Sequence, residues 1–145
     1  HIGLKPQSVL AESGYKIQGK SADSALKIYQ DALALEEVGA FALVLEGVPE
    51  ELAKIITEKI TIPTIGIGAG KYCDGQIQVL HDLIGLLGTE VPKHANVYSD
   101  TQKLIKNSIK QYQTDVANND FPNNKHCVKM DVKELIALNN KIENL

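Results

Sequence analysis

Apolar residues recur at steps of three and four between Ala22 and Val38, a spacing that places them on one face of a helix. Ser21, just before this segment, is a residue type that commonly caps a helix N-terminus. Gly39, just after it, is the residue type that most easily adopts the left-handed conformation at a helix end. The pattern therefore predicts a helix over residues 22–38.

Short apolar runs alternate with the helical segments and predict buried strands. The runs cover residues 41–46, 63–67 and 76–80, and residues 1–2 read as the end of a further strand. Pro49 predicts the start of another helix, with acidic residues in its first turn. Strands that alternate with helices across short loops are typical of a parallel sheet with helices outside it. The predicted fold class is therefore α/β.

The C-terminal third of the chain is wholly helical in pattern. Ser99 or Asp100 is a suitable N-cap for a helix that ends near Val116, and a second helix is predicted over residues 132–145. The asparagine-rich stretch NNDFPNNKHC between them is typical of a loop.

Composition limits the classes of function. The chain has 145 residues, a formal net charge of −3 and 43% hydrophobic residues, which suits one ordinary domain or part of one. Its basic residues are all lysines and form no cluster with aromatic residues, which argues against nucleic acid or an anionic membrane as a partner. No apolar run approaches the roughly 18 residues that span a bilayer. Cys73 and Cys127 match neither a metal-binding spacing nor a disulfide framework, so a reduced, cytoplasmic protein is expected.

A carboxylate, Glu46, ends the strand predicted at residues 41–46. Burying an unpaired carboxylate is costly, so this position needs a partner or a function that compensates. Catalytic groups of parallel α/β folds collect at the carboxyl ends of strands, which makes Glu46 a candidate general base. The structural alternative is a carboxylate that caps the next helix or forms an ion pair, and the residues alone leave both open.

Glycines close the apolar run at residues 63–67. Gly66, Gly68 and Gly70 either let the backbone approach a ligand closely or form a tight turn. Their spacing is not the dinucleotide-binding fingerprint, because another strand rather than a helix is expected next. Further along, the adjacent His81 and Asp82 are either a proton-relay pair or a helix-capping aspartate beside a structural histidine.

Four stretches, in order along the chain, together resemble the ketopantoate hydroxymethyltransferase family. They are HIGLKPQ, GYKIQGK, DALALEEVGAFALVLEGVPEELAKIIT and IPTIGIGAGKYCDGQIQVLHDLIGL. The resemblance is to the second half of the family's sequence and covers about residues 1–93, with weaker similarity through NDFPNNKH. It implies a (β/α)₈ barrel of the TIM type. Residues 1–118 would form the C-terminal part of that barrel, and residues 119–145 a loop and a tail helix.

The resemblance implies an activity and site residues as well. The family forms homo-oligomers and uses Mg²⁺ to transfer a hydroxymethyl group from 5,10-methylenetetrahydrofolate to 3-methyl-2-oxobutanoate. The product, 2-dehydropantoate, leads to pantothenate and coenzyme A. Glu46 occupies the position of the family's proton acceptor. His1, Gly68 and Gly70, at the ends of strands, are expected to contact the substrate.

Part of such an enzyme is expected to lie outside these residues. The family's metal-binding acidic residues precede the position that matches His1, so no metal ligand is expected in this chain and the missing half of the barrel is an expected partner. Lys5, Lys20 and Gly47 replace a threonine, an arginine and a cysteine, and the stretch HANVYSD departs further. Two other hypotheses stay open: a non-catalytic half-barrel or folate-binding scaffold without the metal site, and a non-functional remnant.

Overall fold

The computed structural model describes residues 1–5, 16–87 and 91–144. Four strands form one parallel sheet in the order β1 (Ile2–Gly3), β2 (Leu43–Glu46), β3 (Thr64–Ile67), β4 (Gly75–Gln76). Helix α1 (Ala22–Glu37) lies between β1 and β2 in the chain, and helix α2 (Glu50–Lys59) lies between β2 and β3. This parallel sheet with intervening helices confirms the α/β class, whereas the complete eight-stranded barrel stays a prediction.

The first compact unit spans His1–Asp100, and its core joins the sheet to α1 and α2. Leu43 and Leu45 of β2 are fully buried, and the residues that alternate with them, Val44 and Glu46, are only partly buried. Alternate residues of a strand point to opposite faces of the sheet. Glu46 therefore points away from the face that carries the two buried leucines. The helices contribute these residues to the core: Ile28, Ala32, Leu52, Ala53 and Ile56.

The ends of the first two helices follow the predicted signals. The Ser21 side chain accepts a hydrogen bond from the Ser24 N–H at 3.3 Å, which confirms Ser21 as the N-cap of α1. Gly39, just beyond the C-cap of α1, has a φ of +91°. Pro49 immediately precedes α2. Local sequence therefore sets both ends of α1 and the start of α2.

Two strand predictions were wrong in extent. The strand predicted at residues 76–80 is confined to β4, after which the Ile77 N–H makes one further bond, to the Gly66 carbonyl at 3.0 Å. Helix α3 (Leu80–Leu83) begins three residues later. Among the strands that the structure describes, β4 is last in the sheet order and pairs only with β3, so less pairing keeps it extended. Phe41, predicted within β2, precedes that strand and is 91% exposed.

A polar network around one buried hydroxyl, that of Thr64, fixes the start of β3. Thr64 is fully buried, and both its backbone N–H and its hydroxyl donate to Asp74 Oδ2, at 2.8 and 3.0 Å. The Asp74 N–H donates back to the Thr64 hydroxyl oxygen at 3.2 Å, and the Thr57 hydroxyl lies 2.8 Å from it. The bonds from Thr64 lower the pKa of Asp74. The network ties the loop before β4 to the strand that precedes it.

We expect Thr64→Val to destabilise the chain by about 2–3 kcal/mol, because it removes the three hydrogen bonds of the Thr64 hydroxyl, at about 1 kcal/mol each. Thr64→Ser keeps the hydroxyl and removes one methyl group, so we expect a loss of about 1 kcal/mol. Urea denaturation followed by circular dichroism measures both. If hydrophobic burial alone decided stability, the valine variant would be the more stable of the two. A valine variant at least as stable as the serine variant would therefore contradict the hydrogen-bonding role of Thr64.

The second compact unit spans Thr101–Leu145 and contains helices α4 (Thr101–Ala117) and α5 (Val132–Glu143). Both helices were predicted, although Leu145 lies outside the described residues. Between them, the Phe121 ring lies 5.6 Å from the Tyr112 ring and 4.9 Å from the His126 ring, measured between centroids. The unit begins at α4, and the predicted division of the barrel part from the tail at residue 118 stays a prediction. No helix among the described residues has the length and apolar character needed to cross a membrane.

Candidate active site

Glu46 is the last residue of β2 and is held by both neighbouring strands. It lies opposite Gly3 of β1 and Ile67 of β3. Its carbonyl oxygen accepts a hydrogen bond from the Leu4 N–H at 2.7 Å, and the next N–H, of Gly47, donates to the Ile67 carbonyl at 2.9 Å. The carboxylate therefore projects from a backbone position that is fixed on two sides.

The structure brings two of the predicted site residues together. His1 Nε2 lies 3.0 Å from Glu46 Oε2, within hydrogen-bond distance. The Glu46 side chain is 16% exposed and that of His1 is 35% exposed. The capping alternative is not realised, because Pro49 is the N-cap of α2 and Glu46 makes its contact with His1 instead. A carboxylate paired with an imidazole serves either as a base or as a structural ion pair.

Burial raises the pKa of Glu46, and the positive charge of His94 opposes that rise. The carboxylate is removed from much of the surrounding water, which disfavours its ionised form. A raised pKa strengthens a carboxylate as a proton acceptor, because a general base works best when its pKa lies near the working pH. The local environment of Glu46 thus suits proton transfer.

Glu46 opens into a cavity of about 460 Å³. The lining is largely apolar but carries four titratable side chains: Lys16, Glu46, Asp82 and His94. A concave, largely apolar space with a few converging polar groups is typical of a small-molecule site. The remaining lining residues are Leu4, Ile17, Gly47, Ile67, Val79 and Pro92.

Gly68 and Gly70 lie beside this cavity rather than in its lining. They line a second cavity of about 490 Å³ together with Lys71, Gln76 and His94. Both glycines have positive φ, +60° for Gly68 and +76° for Gly70. A Cβ at Gly70 would overlap with the Glu50 side chain, so close packing on α2 accounts for that glycine. Their predicted contact with substrate stays a prediction.

His81 and Asp82 are separated by the geometry of α3. Asp82 lines the cavity of Glu46, whereas His81 is exposed and is absent from its lining. Sequence reasoning did not select Lys16 or His94, which reach the cavity from segments outside the strands and helices. Neither residue carries a local pattern, so only their proximity to Glu46 identifies them.

Histidine and carboxylate side chains around Glu46 are of the types that bind metal ions. Within residues 1–5, 16–87 and 91–144, the structure has no group of three or more His, Cys, Asp or Glu side chains that could hold a metal ion.

Comparison with known proteins shows the family. The family model described as ketopantoate hydroxymethyltransferase matches residues 1–124. The chain belongs to this family. Three curated relatives are named 3-methyl-2-oxobutanoate hydroxymethyltransferase: one from Clostridium beijerinckii, 49% identical over 138 residues, one from Clostridium kluyveri, 52% over 131 residues, and one from Chloroflexus aggregans, 49% over 143 residues.

The matches extend over nearly all of this chain but only half of each relative. They cover 95%, 90% and 99% of this chain and 50%, 47% and 51% of the relatives from C. beijerinckii, C. kluyveri and C. aggregans, respectively. The chain thus spans about half the length of the curated relatives it matches.

Proposed function

We propose that this chain forms part of an enzyme that transfers a hydroxymethyl group from 5,10-methylenetetrahydrofolate to 3-methyl-2-oxobutanoate, and that it supplies the base. The observation that carries the proposal is the Glu46 carboxylate, held at the end of β2, with a raised pKa and in a small, largely apolar cavity. The names of the relatives support the same substrate and the same transferred group.

In the proposed reaction, Glu46 accepts the proton from C3 of the keto acid, the carbon next to the carbonyl. The C3–H bond breaks and its electron pair forms the enolate. Water cleaves the two C–N bonds of the folate's methylene bridge, which releases tetrahydrofolate and leaves the one-carbon unit at the oxidation level of formaldehyde. C3 adds to the carbon of this unit, and the resulting alkoxide takes up the proton that Glu46 accepted. His1 donates to Glu46 Oε2, which orients the carboxylate and leaves its other oxygen available for the proton.

The remaining part of the enzyme is proposed to complete the barrel and to hold Mg²⁺. When bound, the metal would polarise the carbonyl of the keto acid. A (β/α)₈ barrel places the carboxyl ends of all its strands around one opening. Residues of the other half could therefore approach Glu46 from their own strand ends while β2 keeps its position. Association into a homo-oligomer is part of the same proposal.

The proposal is tested with a chimera in which this chain replaces the matching half of the C. beijerinckii relative. We expect the chimera to exchange the C3 proton of 3-methyl-2-oxobutanoate with deuterated water in the absence of folate, as followed by proton NMR. Because the pKa of Glu46 is raised, the base becomes protonated at a higher pH than an ordinary glutamate, whose pKa is about 4.3. As the pH is lowered, the exchange rate should therefore begin to fall before the pH reaches about 4.3.

Circular dichroism at each pH provides the control that the chimera stays folded. A folded chimera that binds the keto acid but exchanges no proton would contradict the proposed role and favour a non-catalytic scaffold. An exchange rate that stays constant down to pH 4 would contradict the assignment of a buried carboxylate as the base.

A further inference from the structure

Helix α5 has 12 residues, and all of them are exposed. Its apolar residues nevertheless form a stripe, because Leu135, Leu138 and Ile142 recur at steps of three and four. Their side chains are 47%, 42% and 56% exposed, respectively. A helix of this length is only marginally stable in water without a packing partner. We therefore expect the stripe to be covered in the assembled protein.

An open groove of about 200 Å³ runs along α5 and shares Leu138 with this stripe. Its lining consists of Met130, Glu134, Ala137, Leu138 and Lys141. Glu134 and Lys141 are separated by about two helical turns, so they lie on one side of the helix and about 10 Å apart along its axis. Ala137 and Leu138 lie midway between them. The groove thus has an apolar middle, one negative end and one positive end.

Two copies of this groove are complementary to each other in charge. When two α5 helices pack antiparallel about a two-fold axis near Ala137, Glu134 of each helix faces Lys141 of the other. The same alignment places Leu135 of each helix opposite Leu138 of the other, which is the kind of apolar contact that paired helices with a heptad pattern bury. One arrangement therefore satisfies both the charges and the apolar stripe.

Other arrangements leave these charges without partners. No ion pair joins Glu134 or Lys141 to another residue in the part of the chain that the structure describes. In a parallel pair of helices, Glu134 would face the uncharged Asn139. The helix carries two lysines and two glutamates, so it has no net charge that would attract an anionic membrane surface. The charge pattern therefore favours a second copy of this chain, packed antiparallel.

We propose that α5 is a self-association surface, which packs antiparallel against α5 of a second copy through Leu135 and Leu138. Glu134 and Lys141 pair reciprocally at the two ends of the contact. This surface lies beyond residues 1–124, which match the family model. The inference rests on the proposed function only in that a homo-oligomer is part of both, and it depends on neither the base nor the substrates.

The test is sedimentation equilibrium of the full chain at concentrations up to about 500 µM, because two short helices bury less surface than a standard interface. We expect the wild-type chain to self-associate. Glu134→Lys leaves a lysine at both ends of the groove, and Lys141→Glu leaves a glutamate at both ends. Each single reversal should weaken self-association about tenfold, because two attractive pairs become repulsive. The double variant exchanges the two charges and should restore the association.

An equimolar mixture of the two single variants tests the antiparallel register. Both lysines of one chain then meet both glutamates of the other, so the mixture should associate more tightly than either variant alone. The matched control is a mixture of Lys133→Glu and Glu143→Lys, which have the same net charges as the two variants. These positions lie five residues, or about 1.4 turns, from Leu138 and therefore on the opposite side of α5. We expect the control variants, alone or mixed, to associate like the wild type.

The apolar part of the contact is tested with a second matched pair. Leu138→Gln places an amide in the middle of the groove and should weaken self-association at least tenfold. Ile136→Gln makes a similar change about half a turn away, at a residue that is 56% exposed and absent from the groove. It should leave the association unchanged. Circular dichroism confirms that each variant keeps its helix content.

The proposal is overturned if the wild-type chain stays monomeric, if the single reversals associate like the wild type, or if their mixture is no tighter than its components. Equal effects of the control variants would overturn it as well. Failure here is distinct from a failure of the proposed function, because proton exchange in the chimera reports on Glu46 and not on α5. A chimera without exchange would contradict the base and leave the role of α5 intact.

Discussion

Glu46→Gln is expected to lower the rate of C3 proton exchange in the chimera about 10²–10⁴-fold, the usual contribution of a general base. Glutamine keeps the shape of the side chain but has no carboxylate to accept the proton. Binding of 3-methyl-2-oxobutanoate should change little, because the apolar lining of the cavity is untouched. Exchange into deuterated water isolates this step, and isothermal calorimetry measures the binding.

The matched control is Glu51→Gln, which removes the same charge five residues later, from an exposed position in the first turn of α2. We expect it to exchange at the wild-type rate. If Glu46 only pairs with His1, we expect Glu46→Gln to lose about 0.5–1 kcal/mol of folding stability and to keep the wild-type exchange rate. Wild-type exchange in Glu46→Gln would therefore remove Glu46 from the mechanism.

Gly3→Ala is expected to have the largest effect on stability. Gly3 has a φ of +89°, and a Cβ there would overlap with the Glu46 carbonyl oxygen and lie 2.7 Å from Val48 Cγ1. That carbonyl accepts the bond from the Leu4 N–H that joins β1 to β2. Alanine would force the two strands apart at the residue that carries the carboxylate. Urea denaturation measures the loss of stability, and proton exchange in the chimera measures the effect on the site.

Gly39→Ala provides the matched control, because Gly39 has nearly the same φ, +91°, and no atom lies within 4 Å of where its Cβ would be. The left-handed conformation alone costs an alanine about 1–2 kcal/mol. We expect Gly3→Ala to cost about 1–3 kcal/mol more than this, the usual range for overpacking. Equal losses in the two variants would show that backbone conformation, and not the contact with Glu46, makes Gly3 necessary.

The helices and inner strands of the first unit were predictable because their signals are local. A helical period with a capping serine and a terminal glycine marks α1, and a proline followed by acidic residues marks the start of α2. β2 and β3 are short apolar runs with a partner on both sides, so burial follows their pattern. The run at residues 76–80 has the same pattern at an edge of the sheet, where little pairing keeps it extended, and it was overpredicted.

The sequence by itself identified Glu46 as the candidate base. A carboxylate that ends an apolar strand needs a partner or a function to offset its burial, whatever the position of that strand in the sheet. Tertiary structure decided what surrounds it. His1, Lys16, Asp82 and His94 come from four separate segments, and none has a sequence spacing to Glu46 that predicts proximity. Parallel strand order brings these segments to one end of the sheet, and burial there changes the acidity of Glu46. Those long-range contacts are set by packing, which no local pattern encodes.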